Sequence, residues 1–219
     1  MEIEQEASLY QHEMNMYGRC MREIKRRINV IAANLEQGTT PEKIMYDTEF
    51  ICLQFRIIVE LIALGNLAAN QKLYQQGIRK IKKQWHPAEI IKILKKANPK
   101  FYPIPVEIQQ IKGVDVEKIT LHLIPIDSGY LTKEEFINLF NLCSDYLHGR
   151  NPFNEARNYD IRLLFPKWIQ EIHLLITNHV ITLVDSEISL LTTMYFEKGA
   201  PRELDIIYLR TEQVKIFKV

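Results

Sequence analysis

Three cysteines, eight glycines and two tryptophans in 219 residues leave several protein classes without their raw material. Cys20, Cys52 and Cys143 are odd in number, far apart and set mostly in apolar surroundings, which argues against a disulfide framework and a thiolate zinc site. They read as reduced thiols of an apolar core. A charge of one sign is also missing, since 28 Lys and Arg against 27 Asp and Glu leave +1 and no global pull toward nucleic acid or an anionic membrane. Any such contact must rest on a local patch. The glycines form no phosphate-cradling loop, and the chain has no G-x-S-x-G elbow, H-E-x-x-H, C-x-x-C or calcium loop. The expectation is therefore no cofactor and no metal. The first residues, MEIEQEASLYQHE, are acidic and lack the basic and apolar regions of a secretory signal, so the expected location is cytoplasmic.

What the chain has is apolar content, 47%, enough to bury a full core in one domain, with or without a small appendage. Its centre is Phe50 to Ala69, FICLQFRIIVELIALGNLAA, apolar on nearly every side. Read as a helix, it stacks Arg56 above Glu60 on one face, with Ala63 and Leu67 continuing the stripe. About 20 apolar residues are long enough to span a bilayer, but a charge pair near the centre costs several kcal/mol in lipid. The segment reads instead as the central helix of a protein interior, with no membrane partner. Its charges either close an ion bridge that also bonds a neighbouring helix or form part of a working site.

Before this segment, Tyr10, Met14, Tyr17, Met21, Ile24, Ile28, Ile31 and Leu35 recur at alternating spacings of four and three. That pattern predicts a helix over about Ile3 to Leu35 with the seam of an antiparallel bundle or coiled coil, and a homodimer is expected from it. Arg22, Lys25, Arg26 and Arg27 read as its solvated face, with nucleic-acid contact as the competing reading. Gln37-Gly38-Thr39 ends it, and Thr40-Pro41 supplies a cap and first residue for the central helix, which is expected to reach about Tyr74.

Between Lys72 and Lys100, nine Lys and Arg, including Arg79, Lys80, Lys82 and Lys83, face the single acid Glu89. A short helix starting at Pro87 would turn its lysines outward as a solvated face; the competing reading is a phosphate-contacting patch that takes RNA. FYPIPVE follows as an extended, proline-rich connector across the surface. Residues 118 to 126 alternate as a strand, Asp127-Ser128-Gly129 turns the chain, and Thr132 with Glu135 forms a capping box with a Leu131 and Phe136 staple. The helix so begun buries Phe136, Leu139, Phe140, Cys143 and Leu147 and stops at Gly149. A further helix is expected from about Pro166 to Asp185 with Ile169, Ile172, Ile176, Val180 and Leu183 inward. His173 and His179 on it are six residues apart, poor spacing for joint metal ligation, and read as hydrogen-bonded packing residues. The tail changes period: strands are expected at Ile188 to Phe196, Leu204 to Leu209 and Val214 to Val219.

The expected fold class is mainly α: a helical bundle around the central apolar helix, with a small antiparallel sheet formed by the tail, with or without the 118–126 segment. Residues 1–185 form the bundle and 186–219 a β appendage packed on the same domain.

Chemistry has one place to gather, the helix end Ser144-Asp145-Tyr146-Leu147-His148-Gly149-Arg150-Asn151-Pro152-Phe153. A histidine and an arginine at a helix C-terminus satisfy the dipole and the last carbonyls without any further role. Laid against Arg56 and Glu60, however, His148 and Arg150 would make a set able to polarise a phosphodiester and move a proton. At these residues, in F-R-I-I-V-E-L-I-A-L and Y-L-H-G-R-N-P-F, the chain resembles the HEPN superfamily of helical bundles, common in toxin-antitoxin, abortive-infection and other phage-defence systems. The resemblance covers about Tyr46 to Val184. It implies a dimer in which an R-x(4 to 6)-H motif from each chain forms one metal-independent ribonuclease site. His148 matches the histidine, whereas Asn141, Leu142 and Cys143 stand where the arginine belongs.

Two readings follow. In the favoured one the chain is a HEPN-like, non-catalytic binding or regulatory module with a protein partner. In the other it is a ribonuclease with His148 as general acid or base, Arg150 and Arg56 on the phosphate, and Glu60 orienting an arginine.

Overall fold

The structure, a computed structural model, describes residues 2–70, 89, 92, 95–96, 101–112, 119–148, 160–183, 188–197 and 199–210. The chain is mainly α with one antiparallel sheet. In order it forms α1 (Glu2–Gln37), α2 (Ile44–Ala69), β1 (Ile104–Lys112), β2 (Ile119–Pro125), α3 (Lys133–Leu147), α4 (Phe165–Thr177), β3 (Asn178–Thr182), β4 (Ile188–Met194) and β5 (Leu204–Arg210).

The spacing of four and three in α1 marks a buried stripe from Tyr17 to Ile31. Tyr17, Met21, Ile24, Ile28 and Ile31 are buried and Met14 partly so, while Leu35, in the last turn, is exposed. α1 and α2 pack antiparallel: Arg27 of α1 bonds Gln54 of α2, and Tyr17 and Met21 close on Gly65 a helix length away. A Cβ at Gly65 would stand 3.2 Å from Met21 and 3.3 Å from Tyr17, so glycine sets how closely these helices approach. Gly38, at φ 67°, ends α1 as expected. The start of α2 differs from expectation. Thr40-Pro41 opens a turn over residues 41–43 in which the Thr40 carbonyl accepts the Lys43 and Ile44 N–H groups, and the N-cap Lys43 has no side-chain bond.

α3 starts on its capping box. The Thr132 hydroxyl accepts the Glu135 N–H at 3.3 Å and the Glu135 carboxylate accepts the Thr132 N–H at 3.1 Å, with Leu131 and Phe136 both buried beside them. Thr132→Ala is expected to cost about 1 kcal/mol. Urea unfolding checks this, and a Thr132→Ser variant should restore most of the loss.

The sheet has the order β2-β1-β3-β4-β5 with every pair antiparallel. Two expectations are corrected here. FYPIPVE is no surface connector: from Ile104 it becomes β1, lying between β2 and β3. Pro105 fits because β1 meets β3 only at Ile104 and Pro105, while the Pro105 carbonyl accepts the Ile126 N–H at 2.9 Å. The helix expected to reach Asp185 ends at Thr177, and Asn178 turns extended at φ −130°, ψ 118°. The run NHVIT is rich in β-branched residues, which favour the pleated sheet over another helical turn. Val180 and Leu183 are buried as expected, but from β3 and its exit rather than from a helix. The sheet thus draws β1, β2 and β3 from before residue 185 and β4 and β5 from after it. The strand expected over Val214 to Val219 lies outside the described residues.

The main core joins the layers, with α2 contacting α1 and α3, and a smaller cluster of Val106, Leu123, Val180 and Leu191 packs on the sheet apart from it. Phe55 of α2 packs on Phe165 and Trp168 of α4, and Tyr102 donates its hydroxyl to the Leu131 carbonyl at 2.7 Å.

Candidate functional site

The helical period brings Arg56 and Glu60 together: Nε of Arg56 lies 3.4 Å from the Glu60 carboxylate, with 34% and 24% of the two side chains exposed. The third partner comes from α3. The Arg56 guanidinium carbon stands 5.0 Å from the centroid of the Phe140 ring, within cation–π range. One turn earlier on α2, Cys52 hydrogen-bonds Cys143 of α3. Cys52 beside Cys143 and Arg56 beside Phe140 show that α2 and α3 run antiparallel.

That direction decides where His148 lies. As the C-cap of α3, it donates its backbone N–H to the Ser144 carbonyl at 3.1 Å and its side chain is exposed. It is eight residues past Phe140, about 12 Å along the axis and toward the start of α2, away from Glu60. The structure therefore joins Arg56 and Glu60 and places His148 about two helical turns from the ring on which Arg56 rests. Arg150, and Arg79, Lys80, Lys82 and Lys83 of the basic segment, lie outside the described residues. Of that segment's other residues, Glu89, Lys92, Lys95 and Lys96 are helical and exposed, and Lys92 pairs with Glu89 at 2.6 Å.

Neither Cys20 nor Cys143 is poised as a nucleophile. The bond from Cys52, then burial, holds Cys143 far above the ordinary thiol range, and burial pushes Cys20 up to about 11. Among the described residues no three His, Cys, Asp or Glu gather as metal ligands.

Both candidate packing histidines are hydrogen-bonded. His173 is half-buried, with Nδ1 3.1 Å from the Thr177 hydroxyl and its ring 4.3 Å from that of Phe196; burial lowers its pKa. His179 is wholly buried in β3 between Tyr17 at 2.5 Å and the Ile176 carbonyl at 3.0 Å.

Two polar groupings escaped the sequence reading. On α1, Lys25 and Arg27 are tethers rather than a solvated face: Lys25 donates to the Tyr195 carbonyl, and Arg27 bonds Gln54 at 2.7 Å and Glu23 at 2.8 Å. At the α3–α4 contact, Lys167 stands between Glu135 at 3.3 Å and Glu171 at 3.2 Å. Burial raises the Glu171 carboxyl, while the Thr132 N–H lowers Glu135. The Lys167 and Glu171 spacing of four was the only sequence signal for this cluster.

No protein-family model, curated protein or solved structure matches the chain. The site must be read from its own geometry.

Proposed function

We propose that this chain is a HEPN-like, non-catalytic binding or regulatory module, working through a protein partner in a phage-defence or toxin-antitoxin setting. On this reading α2, α3 and α4, within Tyr46 to Val184, correspond to that superfamily and the strand-rich tail is an addition to it. One observation carries the proposal: the Arg56 guanidinium is engaged by Glu60 and by the Phe140 ring, and the histidine it would have to assist stands about two turns away. A general acid or base must share one substrate with the group that stabilises the phosphate, and this arrangement favours packing over that task.

The opposing reading keeps one point in its favour, the solvent-exposed His148 at the end of α3. Cleavage of a mixed RNA pool in EDTA separates the two. No cleavage is expected from the native protein or from His148→Ala, with circular dichroism unchanged by the substitution. Metal-free cleavage lost in His148→Ala would establish a ribonuclease, with Arg150 and Arg56 then the first candidates for the phosphate.

A further inference from the structure

The stripe of α1 that suggested self-association is used within the chain, against α2. α2 carries a second stripe. Tyr46, Phe50, Leu53, Ile57, Glu60 and Leu64 recur at spacings of four and three, on the face opposite the buried Phe55, Ile58 and Ile62. Tyr46, Phe50 and Leu53 are 64%, 39% and 42% exposed, and Ile57 and Leu64 are half-buried. The outward face of a surface helix is ordinarily polar; here five of six positions are apolar, so the face has the composition of a covered one.

We infer that this face packs on the same face of a second copy, the two α2 helices antiparallel about a twofold axis at Leu53. The spacing is that of a helix-pairing seam. The charges select the direction. Glu49 and Arg56 flank the stripe on one side, and a twofold axis at Leu53 sets Arg56 of each copy beside Glu49 of the other. Glu60, the one charged residue within the stripe, comes level with Tyr46 of the second copy, whose hydroxyl can donate to it. A parallel pairing would instead set Glu60 against Glu60 within the seam and hold Glu49 and Arg56 of the two copies on opposite sides of it, out of each other's reach. A lipid surface would put the Glu60 and Arg56 charges, only part-buried in the chain, in an apolar medium. The inference stands whether or not the protein cleaves RNA.

Light scattering at micromolar concentration is expected to give twice the chain mass, and Leu53→Asp to give a monomer with unchanged circular dichroism. A register test runs beside it. Leu53→Cys faces its own copy across the axis and should cross-link under diamide, above the background of the native thiols. Leu64→Cys should not, because eleven residues on each side of the axis separate the two sulfurs by about 33 Å. A monomeric native protein, a dimer that survives Leu53→Asp, or cross-linking at 64 and not at 53 would each overturn the inference. So would a monomer that floats with phosphatidylcholine vesicles, which would assign the face to lipid.

Discussion

Phe55→Ala is expected to lower stability by about 3–5 kcal/mol, the range for deleting a buried aromatic ring whose surroundings cannot close over the hole. The ring is wholly buried and meets Phe165 at 5.5 Å and Trp168 at 5.3 Å between centroids. It is the point at which α2 grips α4, and α4 leads directly into β3, so the cavity would loosen the helical layer and the sheet together. A domain of this kind holds only about 5–15 kcal/mol against unfolding, so the loss is a large share of the whole. Urea unfolding followed by tryptophan fluorescence reads it, since Trp168 lies in the contact. Arg26→Ala, from a side chain 67% exposed, is the control and should stay within about 0.5 kcal/mol. A Phe55→Ala loss below about 1 kcal/mol would contradict the packing of α2 on α4.

Such contacts mark the boundary of what the sequence discloses. The α1 stripe, the apolar α2 and the Thr132–Glu135 box are written within a few turns of helix, and each is found where the residues put it. Arg56 and Glu60 were legible for the same reason, four residues apart on one helix. Phe140 beneath Arg56 and the Tyr195 carbonyl that holds Lys25 were not, because both depend on how distant elements dock. The segment from Ile176 to Leu183 is a harder case: Ile176, Val180 and Leu183 keep helical spacing, while Val180 and Thr182 also fit an alternating strand. Length and spacing favoured the helix. What decided for the strand is pairing on both sides, with β1 at Ile104 and with β4 along its whole length, across sequence separations no local pattern reports. The same pairing turned a proline-rich connector into β1. His179 moved with it, from one face of a helix to the middle of the fold, and the proton chemistry of the protein moved too.

His179 is expected to make stability fall as pH drops from about 6.5 to about 4. Its Nδ1 faces the Ile176 carbonyl at 3.0 Å and must carry the proton, so Nε2 is the acceptor and the Tyr17 hydroxyl donates to it at 2.5 Å. Both bonds are made by the neutral ring. Burial drives the pKa down to about 4 from an ordinary 6.5, and the same burial raises the Tyr17 phenol. Above pH 6.5 the ring is neutral in both the folded and the unfolded chain, and the stabilisation is complete. Between 6.5 and 4 the unfolded chain takes up a proton that the folded one refuses, so stability drains away by about 3 kcal/mol in all, and below 4 this contribution is exhausted. Glu171, whose carboxyl is raised by burial, acts with the opposite sign, so the measurement is a difference. Urea unfolding at a series of pH values for the native protein and His179→Gln should converge toward pH 4, the variant being the flatter of the two. Tyr17→Phe supplies the second arm: it leaves Nε2 buried without its donor, costs about 1–3 kcal/mol at pH 7, and should preserve much of the slope because the ring remains buried. Parallel curves for the native protein and His179→Gln would mean that His179 titrates alike in both states and that β3 does not bury it.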